Sequence, residues 1–215
     1  SSGYGEHSRL VFKSLLEHSD GALDIYVNPL EWGTTSWITE DSPTKQLIDR
    51  CILNQAIYMQ NTNNQPSYDI QIHVGIPNEF KKKAPYSVCV TAGIESTRVS
   101  PEWILRTYQG IDKIIVPSEH SKQGFLNAVY PGRNQNDEEI ELSCQAPIDV
   151  VPYPVKIHNN QETLNINFDT DFNFLMVAMW GIRKNIENSV RWFIEEFRNE
   201  PSAGLVIKTG MSKNS

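Results

Sequence analysis

One alternation constrains this chain more than any other feature. The short apolar runs YDIQIHVG (68–75), YSVCVTAG (86–93), DKIIVPS (112–118) and IDVVPYPVK (148–156) alternate with the helical stretches SPTKQLIDRCILNQAIYMQN, SPEWILRTYQ and SEHSKQGFLNAVY. A strand that is apolar along its whole length is buried on both faces, and connections of this length are crossovers rather than hairpin turns. Together they predict a parallel sheet with helices on both faces. Ser42-Pro43 and Ser100-Pro101 each read as a helix start, with serine as cap and proline in the first turn. Ser118 is placed to cap SEHSKQGFLNAVY in the same way. In SSGYGEHSRLVFKSLLEH the first helix reads as starting after Gly3 and Gly5, with Leu10, Val11, Phe12, Leu15 and Leu16 on one side. ALDIYVN (22–28) reads as a further strand closed by Asn28-Pro29. The helix after Ser42 is expected to bury Leu47, Ile48, Cys51, Ile52 and Met59.

The pattern breaks at PGRNQNDEEI (131–140), which reads as a polar surface loop. It restarts with a strand at FNFLMVAMW (172–180), a helix at KNIENSVRWFIEEFRNE (184–200) and a strand at GLVIKT (204–209). That helix shows Ile186, Val190, Phe193, Ile194 and Phe197 on one side. The expected organisation is therefore a β/α domain over 1–157, a connector over 158–171, and the first β-α-β unit of a second domain over 172–215.

Charge narrows the partners. A net charge of −7 argues against nucleic acid, whose phosphates call for a basic face, and Lys81-Lys82-Lys83 is too short a run to supply one. Mean hydropathy is −0.42, and no apolar run reaches membrane-spanning length. Three widely spaced cysteines, Cys51, Cys89 and Cys144, fit reduced thiols and a cytoplasmic setting, at most peripheral at a membrane.

Gly3 and Gly5 sit where a glycine-rich turn would open the first helix and bring backbone N–H groups to a phosphate. The dinucleotide fingerprint is not met. Ser8 stands where its third glycine belongs, and the strand expected next ends at Asn28 rather than at an acid. Asp169-Thr170-Asp171 matches the short D-x-D motif of metal-dependent sugar transfer, but it precedes a strand instead of following one. The histidines and cysteines show no metal-ligand spacing, so neither metal nor cofactor is expected.

Five segments, IHVGIPNEF, VTAGIESTRVSPEW, VPSEHSKQGF, VVPYPV and FLMVAMWGIRKN, carry more information in their order than any one of them alone. In that order they resemble the family-four retaining glycosyltransferases (group-one glycosyl transferases) of the GT-B fold. The resemblance covers nearly the whole chain. It implies two Rossmann-like domains facing a cleft, the first for the acceptor and the second for a nucleotide-sugar. SGYGEHSR is similar to the family's turn after its first strand, VVPYPV to its inter-domain crossing segment, and WGIRKN to the start of its donor domain. On this reading the chain is a fragment, lacking the first strand and most of the donor domain, and is inactive by itself.

The resemblance also implies a site. Gly3, Gly5, Arg183, Lys184 and Lys208 would bind the donor, with Lys184 matching the family's diphosphate lysine. Met179 stands at the position of the family's arginine, and Arg183 is the adjacent substitute. Glu95 takes the neighbourhood of a catalytic histidine, His73 resembles a strand-end histidine, and Thr91 and Ser118 would line the cleft. Trp32 and Trp37 are candidates to stack on an acceptor sugar. The reaction implied is metal-independent transfer from a nucleotide-sugar to a saccharide, lipid or other glycan acceptor. The alternatives are another GT-B enzyme, such as a sugar-nucleotide epimerase, and a non-catalytic β/α module that binds a nucleotide or glycan.

Overall fold

The computed structural model describes residues 3–30, 39, 41–64, 66–154 and 166–210; Trp32 and Trp37 lie outside them. The chain divides into two compact units, Ser1–Lys156 and Ile157–Ser215. No described helix is long and apolar enough to cross a membrane.

The first unit is built on a four-stranded parallel sheet ordered β1-β2-β3-β6: Ile70–Val74, Tyr86–Val90, Lys113–Val116 and Ile148–Val150. In register, His73 pairs with Cys89, Cys89 with Ile114, and Ile114 with Ile148. Paired residues of parallel strands point to the same face, so one row faces the main core. There Cys89, Ile114 and Ile148 pack with Phe80, Val99, Ile104, Val116 and Phe125. Ile104 belongs to α3 (Pro101–Thr107) and Phe125 to α4 (Glu119–Leu126). Val88 and Val90 point the other way and are buried outside that cluster. Phe12 of α1 (Gly3–His18) is also buried outside it, and α1 is in contact with β1. This is the coarse architecture the alternation predicts, a mixed α/β unit on a parallel sheet.

The serine caps form locally. Ser42, Ser100 and Ser118 accept the amide protons of Lys45, Glu102 and Ser121 at 3.3, 3.3 and 3.2 Å. Each satisfies one of the amides left unpaired at a helix start.

Four expectations need correction. Residues 22–30 form no strand. Tyr26 meets Tyr68 edge-on at 5.6 Å, and a Leu30 methyl comes 3.4 Å from where a Cβ on Gly75 would stand. The segment thus approaches both ends of β1 without joining a ladder with it, and a strand without a ladder has nothing to hold it. Second, α2 (Pro43–Thr62) buries no residue fully; Leu47, Ile48, Cys51 and Ile52 are half-buried, and Met59 is exposed. Third, the polar loop is an antiparallel hairpin, β4 (Tyr130–Arg133) against β5 (Glu139–Leu142). Its turn closes because Asn134 Oδ1 accepts the amides of Asn136 and Glu138 at 2.9 and 3.0 Å, while Asp137 adopts a left-handed φ of 63°.

The fourth correction lies in the second unit. It pairs β7 (Phe172–Val177) in parallel with β8 (Ala203–Lys208), with α5 (Ile186–Phe197) between them in sequence. Phe174 packs on Phe193 and Phe197 at 5.8 and 5.2 Å, as the helical stripe predicts. Ile194, expected on that stripe, is exposed, because the aromatic contacts turn Phe193 and Phe197 to the sheet and leave their neighbour outside.

Candidate functional site

The carboxyl ends of β2 and β3 gather a ring of hydroxyls. After β2 the chain turns through Thr91, Ala92, Gly93 and Ile94, and three successive amides of this turn each donate to a hydroxyl from a different part of the unit. Ala92 N–H donates to the Tyr4 hydroxyl at 3.2 Å, Gly93 N–H to Tyr153 at 3.0 Å, and Ile94 N–H to Ser121 Oγ at 3.4 Å. Tyr4 also shares a hydrogen bond of 3.0 Å with Thr91 Oγ1, and Ser121 one of 3.0 Å with Ser118 Oγ. Thr91 and Ser121 are fully buried, whereas Gly93 and Tyr153 are exposed. A crevice beyond the carboxyl ends of parallel strands is where open α/β sheets bind ligands.

Several expected residues meet here. Thr91 and Ser118 belong to the ring itself. Glu95 follows it directly and is exposed. Gly3 and Gly5 flank Tyr4, yet they do not form a turn before the helix. α1 begins at Gly3, so both glycines lie inside its first helical turn, and a Cβ on Gly3 would meet nothing within 4 Å. The two glycines therefore lie inside the start of the helix rather than in a turn before it, and neither close backbone approach nor positive φ calls for glycine at position 3.

His73 takes part in none of the ring's described hydrogen bonds. It is 8 % exposed, its ring meets Phe80 edge-on at 5.9 Å, and Nε2 lies 3.3 Å from the Ile76 carbonyl. A carbonyl only accepts, so Nε2 carries the proton. Burial lowers the His73 pKa, opposed by the Ile76 carbonyl and by Glu79. Its observed contacts therefore brace the turn after β1.

In the second unit, Arg183 and Lys184 lie in a single tight helical turn, Ile182–Lys184, after β7. Lys208 ends β8, paired with Val177 at the end of β7. All three cations are exposed and follow the carboxyl ends of adjacent parallel strands. Asn185, between Lys184 and α5, has φ 51° and makes no side-chain cap. Asp169 and Asp171 precede β7, where Thr170 Oγ1 donates to Asn173 Oδ1 at 2.7 Å. Among the described residues no group of His, Cys, Asp and Glu is arranged to hold a metal ion.

Sequence reasoning missed Tyr4, Ser121 and Tyr153, the side chains that hold the turn. Only the proximity of Tyr4 to the glycines and of Tyr153 to the VVPYPV segment pointed toward them. The spacing from Gly93 to Tyr153 carries no local signal, because a crossover brings them together. No known protein family, curated protein or solved structure matches this chain.

Proposed function

We propose that this chain carries the acceptor-side domain and the beginning of the donor domain of a retaining GT-B glycosyltransferase. The observation that carries the reading is the ordered series of segments from IHVGIPNEF to WGIRKN, which resembles that family along nearly the whole chain. Two features of the site are in keeping with it. Hydroxyl and amide groups cluster at the carboxyl end of the first sheet, where a sugar needs directional hydrogen bonds. Arg183 and Lys184 follow β7 and Lys208 ends the adjacent β8, on the side where a leaving diphosphate would need charge.

The chemistry follows from where charge develops. As the glycosidic bond to the diphosphate breaks, negative charge grows on the leaving oxygen. Lys184 and Arg183, with Lys208, would stabilise it electrostatically without a metal. A fixed cation is worth most at that moment, because it binds the transition state better than the ground state. Glu95, exposed beside the hydroxyl ring, is assigned to hydrogen-bond the acceptor's attacking hydroxyl. His73 is assigned to hold the adjoining turn rather than to touch the sugar.

The test is to supply the full-length gene product with a panel of nucleotide-sugars and saccharide acceptors without added metal. Release of nucleoside diphosphate and a product that keeps the donor's anomeric configuration are expected. Inverted product would reassign the reaction. Absence of release with every donor would favour a binding module.

A further inference from the structure

The three amide clamps at residues 92–94 are not equivalent. The Ala92 clamp is locked, since the Tyr4 hydroxyl is also bonded to Thr91 Oγ1, whose residue is fully buried. The Ile94 clamp is locked too, since Ser121 is fully buried and bonded to Ser118. The clamp on Gly93 differs at both ends: Gly93 is exposed, and Tyr153 is 46 % exposed. A hydrogen bond open to water contributes only about 1 kcal/mol net, so this hydroxyl is displaceable at small cost. The only ring contact to Tyr153 among the described residues is His7, edge-on at 4.9 Å.

We infer that Gly93 N–H is a ligand-oxygen position, filled in the free protein by the Tyr153 hydroxyl and taken over by a hydroxyl of a neutral polyol. Neutral chemistry is favoured by what surrounds it. The hydrogen-bonding groups named around the turn are amides and the hydroxyls of Tyr4, Thr91, Ser118, Ser121 and Tyr153, and the nearest charged residue in sequence is the acid Glu95. Each of these amides and hydroxyls exchanges hydrogen bonds without carrying charge, which matches a neutral hydroxyl ligand. A polyol exchanges one hydroxyl for another and keeps the amide satisfied, so no buried polar group is orphaned. The Tyr153 ring, once displaced, offers an apolar face to the carbon side of the same ligand.

The inference rests on the sugar-handling role proposed above, and its test can fail separately. Isotope-labelled chain is titrated with D-glucose, and in parallel with inorganic phosphate, while amide resonances are followed. The Gly93 resonance should move saturably with glucose, and those of Ala92 and Ile94 much less. Tyr153→Phe removes the competing hydroxyl and keeps the ring, so it should tighten glucose binding about fivefold, the equivalent of one net hydrogen bond. A Gly93 resonance unmoved by glucose in both proteins would overturn the inference, as would a response to phosphate alone. Weaker glucose binding by Tyr153→Phe would make the hydroxyl a ligand contact and overturn its role as a plug. Sugar transfer by the full-length protein with Gly93 unmoved would leave the transferase reading standing and remove this one.

Discussion

The Tyr4 hydroxyl sits 3.0 Å from Thr91 Oγ1 and joins the first turn of α1 to the end of β2. It also receives the Ala92 amide proton, so a single phenol oxygen serves two groups of the turn. Tyr4→Phe removes that oxygen and leaves a buried threonine hydroxyl short of a partner. The expected cost is about 1–2 kcal/mol. Urea denaturation should show a lower midpoint with unchanged slope, and hydrogen exchange at Ala92 should quicken while exchange at Ile94 stays as it was.

Lys184→Ala, in the full-length protein, should lower the transfer rate about a hundredfold, the scale of losing one preorganised charge contact worth roughly 3 kcal/mol. Acceptor affinity should hardly change. Met179→Arg supplies the cation that the proposed family carries at that position. Tighter nucleotide binding in that variant means the phosphate site was short of charge. Unchanged binding means Arg183 already serves. If Lys184→Ala leaves both rate and nucleotide affinity as they were, the donor-site assignment of WGIRKN falls.

Acid should weaken the first unit through His73. Burial lowers the pKa of this imidazole in the folded chain, so between the folded and unfolded pKa the unfolded chain binds more protons. Stability from this group is therefore complete above its unfolded value of about 6.5 and falls as pH drops toward the folded one. His73→Phe cannot take up the proton. Urea midpoints at pH 7.5 and pH 5.5 should differ less in that variant than in the parent, on the order of a few tenths of a molar. Equal differences would assign the acid response elsewhere, beginning with His7, whose pKa burial also lowers.

Thiol labelling should separate the three cysteines. Burial pushes the Cys89 thiol up to about 12, and its side chain is wholly enclosed beneath the sheet. Cys51 and Cys144 are also raised by burial, but both are only half-buried. The thiolate is the reactive form, so iodoacetamide at pH 8 should modify Cys51 and Cys144 slowly and spare Cys89 until denaturant is added. Early modification of Cys89 would mean that the sheet opens far more readily than its core packing implies.

What could be read from the sequence was what is decided locally. The three serine caps and the apolar runs of β1, β2, β3 and β6 depend on neighbours within a few positions, and they form where the pattern put them. The failures share another cause. Residues 22–28 have strand composition, but a ladder needs a partner, and periodicity cannot report whether one is present. Met59 and Ile194 lie on predicted apolar stripes and stay exposed, because a stripe is buried only where another surface meets it. The hairpin was hidden by its polarity, since its register comes from the Asn134 side chain rather than from alternating apolar residues. The candidate site splits along the same line. Thr91, Ser118 and Glu95 flank readable strands and helices, whereas Tyr153 reaches Gly93 only through the assembled sheet.

The order β1-β2-β3-β6 has a consequence for how the sheet comes into being on the ribosome. Each strand pairs with the one translated just before it among the four: β2 on β1, β3 on β2, β6 on β3. None of these pairings requires an emerging strand to wedge between two already joined, and none waits for a strand still unsynthesised. The order of these four strands thus permits vectorial growth, each strand following its neighbour out of the exit tunnel. Tyr153 emerges just after β6, so its hydroxyl reaches the Gly93 amide only once the fourth strand has docked. The bond between Tyr153 and Gly93 thus reports that these four strands have come together.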